Sequence, residues 1–117
     1  MAEVTAEGYR SIRNFVQVNW IYHSLRDDID AEIIRISPLD VRTSWTHVVG
    51  AQVLEITTTV TGADADITPP QIFVGSKLFD VSSAGSPLAD ETFLSFTIEI
   101  DSDELTIKHQ IEIPTVV

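Results

Sequence analysis

Between Glu91 and Pro114 the chain reads ETFLSFTIEIDSDELTIKHQIEIP, and the alternation in this segment narrows the possible folds more than any other feature. Phe96, Ile98 and Ile100 alternate with Thr97, Glu99 and Asp101; after a polar break, Leu105, Ile107, Ile111 and Ile113 alternate with Thr106, Lys108, Gln110 and Glu112. A period of two places successive side chains on opposite faces of an extended backbone, so both runs are half-buried strands. With Asp101 to Glu104 as the loop, they are expected to form a β-hairpin in which Ile100 faces Leu105, Ile98 faces Ile107, Phe96 faces His109 and Leu94 faces Ile111. One face is apolar except at His109, and Glu99, Asp101, Asp103 and Glu104 are assigned to an outer surface.

The upstream chain carries further strand signals separated by turn residues. Thr5 is a candidate N-cap for a short helix from Ala6 to Asn14, with Glu7 favourably placed in the first turn. From Phe15 the alternation of Val16, Val18, Trp20 and Tyr22 with Gln17, Asn19, Ile21 and His23 predicts a strand ending at Arg26-Asp27-Asp28. DDID is a turn leading into a second strand, Ala31 to Ile36, and Ser37-Pro38 breaks the pattern. Val41 to Val49 is a further strand, closed by Gly50. Gln52 to Thr61 follows, with Leu54, Ile56, Thr58 and Val60 on its inner face and a threonine run that favours extended structure. Gly62 to Gln71 is a loop crossing between sheets. Ile72 to Val81 returns to strand, with Gly75 marking a bulge, and SSAGSPLAD leads into the closing pair. About seven short strands punctuated by turns predict an all-β antiparallel sandwich, Ig-like or a small barrel. It occupies residues 15–117 as one domain behind an N-terminal arm of residues 1–14.

The chain has 117 residues and no cysteine, so neither disulfides nor thiolate metal sites contribute and stability must come from packing. The opening MAEVTAEGYRSIRN lacks the basic-then-apolar pattern of a signal peptide, and no run approaches the roughly 20 apolar residues of a membrane span; the expectation is a chain folded in the cytoplasm, away from membranes. The formal charge is −11, unevenly spread. Residues 1–42 hold five of the seven basic groups, Arg10, Arg13, Arg26, Arg35 and Arg42, whereas the remainder sets Lys77 and Lys108 against eleven acids. Such a surface repels phosphate backbones, which argues against nucleic-acid partners.

Chemistry is sparse. His23, His47 and His109 fall on three separate predicted strands, so no shared metal site is expected, and His109 reads as a hydrogen-bonded residue at the border of the core. Asp64-Ala-Asp66 and Asp101-Ser-Asp103-Glu104 resemble openings of cation loops but lack the EF-hand continuation, and turn chemistry accounts for both; whether either pair binds a cation stays open. There is no G-x-S-x-G elbow, and the neighbouring acids Asp27/Asp28 and Asp90/Glu91 would point to opposite faces of a strand; no enzyme activity and no cofactor are expected. The aromatic residues Phe15, Trp20, Tyr22 and Trp45 read either as parts of a central strand or as anchors of a subunit interface.

Two stretches, VLEITTTVTGADADI and KLFDVSSAGSPLADETFLSFTIEIDSDELTIKHQIEIP, which lie within Val53 to Pro114, resemble small structural proteins of tailed-bacteriophage virions, and YRSIRNFVQVNW is in keeping. The resemblance implies an all-β module repeated many times on a capsid or in a tail. It implies a virion location after assembly in the host cytoplasm, with the major capsid protein or other virion proteins and further copies of the chain as partners. The function implied is a capsid decoration (cement) protein; the alternatives are a head-to-tail connector or tail component, and a soluble carbohydrate-binding sandwich using Trp20, Trp45 and Tyr22. Arg10, Arg13, Phe15, Trp20 and Tyr22 are the candidate partner interface, and deletion of Met1 to Asn14 is expected to spare the fold and abolish assembly.

Overall fold

The structure is a computed structural model that describes residues 2–45 and 53–113. Its first element is a helix. Thr5 is extended (φ −78°, ψ 168°) and its Oγ1 accepts the Gly8 N–H at 3.1 Å, as an N-cap residue should. Helix α1 then runs Ala6–Asn19. The cap and Glu7 are where the sequence placed them, but the helix does not stop at Asn14, and the strand expected from Phe15 is helical as far as Asn19. Tyr9, Arg13, Val16 and Trp20 follow the spacing of one helical face, and this face is the packed one. The alternation of Val16 and Val18 with Gln17 and Asn19 is thus incidental, and the expected boundary between arm and domain lies inside a continuous helix.

Seven strands follow: β1 Tyr22–Arg26, β2 Glu32–Ile36, β3 Thr43–Trp45, β4 Val53–Thr61, β5 Gln71–Phe79, β6 Ala89–Ile98 and β7 Glu104–Glu112. They form two antiparallel sheets, one ordered β2-β1-β5-β6 and the other β3-β4-β7, in a sandwich-like all-β arrangement. The β1–β2 hairpin turns on Asp27, whose Oδ1 accepts the N–H groups of Ile29 (3.0 Å) and Ala31 (2.8 Å). Of the strand expected from Val41 to Val49, Thr43–Trp45 is β3; His47 and the residues to Val49 lie outside the described residues. β4 buries Leu54, Ile56, Thr58 and Val60 as its alternation requires, and the Gly62–Gln71 segment carries the chain from one sheet to the other.

The closing strands do not form the expected hairpin. β6 pairs with β5, while β7 pairs with β4 in the opposite sheet. The polar break between them is an arch across the sandwich, held by Asp103, whose Oδ2 accepts the N–H groups of Glu99 (2.8 Å) and Ile100 (3.2 Å). Ile98 and Ile107 do meet, but through the core from facing layers. Period-two alternation shows that a strand has one buried face; it carries no information on whether that face is shared with a lateral neighbour or presented to an opposing sheet. A bulge adds a second difference. Between the pairs Phe73–Phe96 and Gly75–Thr92, Val74 alone on β5 stands opposite Phe93, Leu94 and Ser95 on β6. Phe93 packs on the core and Leu94 is 92% exposed, so neither Phe96 nor Leu94 faces β7.

Two apolar clusters fill the interior. The central one contains Leu25, Ile36, Val60, Ile67, Phe73, Ile98 and Ile107. The other lies under the helix, where Val16, Leu54 and Ile113 pack with Tyr9, Trp20, Trp45 and Ile111.

Candidate functional site

Helix α1 presents two contrasting faces. Its inner face closes the helix-side cluster, and Arg13 on that side is only 6% exposed, its Nε without a hydrogen-bond partner among the described residues. Its outer face carries Ile12, Phe15 and Val18, which are 44%, 62% and 68% exposed. Residues three apart on a helix lie side by side, so these form one apolar stripe on an element whose opposite face is anchored. Arg10, exposed on the same helix, is held by an ion pair with Glu7, and the guanidinium keeps the Glu7 carboxyl below its usual range.

The candidate interface read from the sequence therefore divides. Phe15 and Arg10 are outward; Arg13 and Trp20 belong to the inner face; Tyr22 opens β1, half-buried and paired with Phe79. Trp20 and Trp45 are half-buried, and both pack against the helix-side cluster. The other basic residues of the N-terminal half are taken up internally. Arg35 stacks over the Phe79 ring at 3.7 Å and donates to the carbonyls of Val81 (3.1 Å) and Ala84 (2.8 Å), which fixes the β5–β6 loop to β2. Arg26 lies 5.6 Å from the same ring.

Arg42 gathers Asp40, Asp64 and Asp66 with ion pairs of 2.7, 3.0 and 2.8 Å, joining the β2–β3 loop to the β4–β5 loop. Its hydrogen bonds to Asp66, Asp40 and Asp64 raise its own affinity for its proton. Asp40 is held below the usual carboxylate range chiefly by Arg42, and Asp64 is lowered too, by bonds from Thr61 and Arg42 that outweigh its partial burial. The aspartates that resembled a cation loop thus surround a guanidinium. Asp103 is committed to backbone N–H groups. Among the described residues no group of three or more His, Cys, Asp or Glu could hold a metal ion, and no helix is long and apolar enough to cross a membrane.

Sequence reasoning placed His109 at the border of the core but missed its neighbour. His23 from β1 and His109 from β7 meet edge to face, ring centroids 5.9 Å apart, both buried. His23 Nδ1 lies 2.7 Å from Thr58 Oγ1, and His109 Nδ1 lies 2.8 Å from Ser76 Oγ. Burial, followed by the nearby His109, pushes the His23 pKa down to about 3; burial also lowers that of His109, against the pull of Glu91 and Asp90. Ser76, His109 and Glu91 are not arranged as a catalytic relay. Serine and carboxylate approach the same nitrogen, at 2.8 and 4.0 Å, and Ser76 is buried away from any substrate. No signal in the sequence linked His23 to His109, because the contact depends on which strands face one another across the layers.

Comparison of the chain with protein-family models, curated proteins and solved structures finds no match.

Proposed function

We propose that this chain is a non-enzymatic structural protein of a tailed-phage virion, a capsid decoration protein that docks through the outer face of α1. The observation that carries the reading is the Ile12–Phe15–Val18 stripe, an exposed aromatic and aliphatic surface on a helix whose other side is fastened to the sandwich. Such a helix offers a preformed apolar ridge to a groove in a partner, so little ordering entropy is lost on docking. The internal use of Arg26, Arg35 and Arg42 shifts the emphasis from basic residues to this ridge. The resemblance to small virion proteins supplies the class of partner, a capsid shell or another virion protein.

Because Tyr9 and Arg13 face inward, deleting residues 1–14 would remove part of the helix-side packing together with Ile12 of the ridge, so point changes give the cleaner test. The double variant Phe15→Glu/Val18→Glu should keep the wild-type circular dichroism and denaturation midpoint, while binding to expanded capsids prepared without this protein falls at least about tenfold. Unchanged binding by the variant, or no binding by the wild type, would overturn the docking assignment. Closed rings in place of lattice-wide copies on the particle would identify a connector instead of a decoration protein.

A further inference from the structure

The central and helix-side clusters are separated by a polar layer. Along β4 the inward residues run Leu54, Ile56, Thr58, Val60, and alongside they run Ile113, just past the end of β7, then Ile111, His109 and Ile107 within β7. Leu54, Ile111 and Ile113 belong to the helix-side cluster; Val60 and Ile107 belong to the central one. Thr58 and His109 lie between. His23, on the four-stranded sheet, reaches across to Thr58 on the three-stranded one, and His109, on the three-stranded sheet, reaches back to Ser76 on the other. Thr58 continues the chain of bonds to Thr43 on β3. The two sheets are thus cross-linked by a reciprocal pair of imidazole–hydroxyl hydrogen bonds.

We infer that His23 and His109 form an acid-sensitive latch between the two sheets, closed while both rings are neutral and opened when either takes up a proton. A neutral imidazole can satisfy Nδ1 with a hydroxyl, which donates or accepts as needed, but an imidazolium has two N–H donors that both require acceptors. His23 Nε2 is buried and has no partner among the described residues, so a second proton on that ring has nowhere to bond. Two imidazolium rings 5.9 Å apart would also repel each other strongly away from water.

Few neighbouring groups can offset this. β2 pairs with His23 through Ile36, which is apolar; β3, β4 and β5 present the hydroxyls of Thr43, Thr58 and Ser76. β6 supplies the nearby carboxylates. Glu91 lies 4.0 Å from His109 Nδ1 but already accepts the Gln110 N–H at 2.9 Å, and Asp90 lies 3.8 Å from Lys77, which also binds Asp30 at 2.8 Å. Burial outweighs their pull.

The direction of the pH response follows. Histidines of the unfolded chain protonate near pH 6.5, and in the fold both rings resist protonation, so the unfolded chain binds more protons below that pH. The latch therefore contributes fully above about pH 6.5 and weakens as pH falls. Asp30, Glu32, Asp40 and Asp64 are all held below their usual range, so their contribution is lost only around pH 4 and lower.

Both tryptophans of the chain pack against the helix-side cluster, so their emission reports loss of the packed sandwich. The urea midpoint of the full chain, followed by the red shift of tryptophan emission, should fall between about pH 6.5 and 4.5, and that fall should vanish in the double variant His23→Asn/His109→Asn, whose side-chain amides can still meet the hydroxyls. A wild-type urea midpoint unchanged between about pH 6.5 and 4.5, or a fall that survives in the double variant, which retains His47, would overturn the latch. If the double variant does not fold, proton NMR of the wild type decides. The His23 and His109 ring protons should hold their neutral positions as long as the native spectrum persists, and that spectrum should be lost together with their protonation. Either ring titrating near pH 6.5 with the native spectrum intact would overturn the proposal.

Discussion

Arg42 shows how much one side chain can organise when three acids converge on it. Its guanidinium is the described cation that joins the β2–β3 and β4–β5 loops, and Asp40, Asp64 and Asp66 would face one another unpaired without it. Arg42→Gln should lower stability by about 1–2 kcal/mol at pH 7, a range set by the partial exposure of the cluster. Because Asp40 and Asp64 ionise below their unfolded values, the difference from wild type should be full above about pH 4 and shrink as pH falls through their depressed values. Urea denaturation of both proteins at pH 7 and at about pH 3 checks both points. The acid-rich turn was legible in the sequence as turn chemistry. Its cation was not, because Arg42 lies some twenty residues away and nothing local marks it as the partner.

At the scale of elements, the strands were legible and their partners were not. β4 and β7 each display the alternation that their buried faces require, and the β1–β2 hairpin follows from an aspartate turn that closes locally. The β6–β7 connection resembles a hairpin in every local respect, yet it spans the two layers. What distinguishes the two cases is contact between strands distant in sequence. Helix α1 was underestimated for the opposite reason: β-branched residues at Val16 and Val18 imitate a strand, while the longer helical spacing from Tyr9 to Trp20 prevails once a cluster is there to receive it. The arch imposes its own constraint at Gly62, whose N–H donates to the Asp103 carbonyl at 3.0 Å. A Cβ at Gly62 would lie 2.1 Å from the Ile100 carbonyl oxygen and 2.9 Å from the Asp101 Cα, both backbone atoms that cannot swing aside. Gly62→Ala should therefore cost about 3 kcal/mol in thermal or urea denaturation while leaving the strand content of the surviving folded protein unchanged.

For the whole molecule, negative charge is concentrated in the second half of the chain. Eleven of the 18 acidic residues follow Arg42, whereas the exposed ridge of Ile12, Phe15 and Val18 precedes it. A body of net charge −11 whose arginines largely serve internal contacts has little with which to displace counterions from a phosphate backbone. At about 0.15 M salt no retardation of duplex DNA is expected at micromolar protein in a gel-shift assay, and a shift that weakens with salt would contradict this.

The layer crossing between β6 and β7 also bears on how the chain reaches its fold. The local hairpins β1–β2 and β5–β6 can close early, but Tyr22 must find Phe79 and Leu54 must find Ile111 before either sheet is complete. Contacts this remote place the chain among slow folders, with refolding on the order of milliseconds to seconds in a stopped-flow experiment. On the ribosome, β4 stays without its β7 neighbour until Glu104 to Glu112 have emerged, so the sandwich closes only after nearly all of these 117 residues have been synthesised.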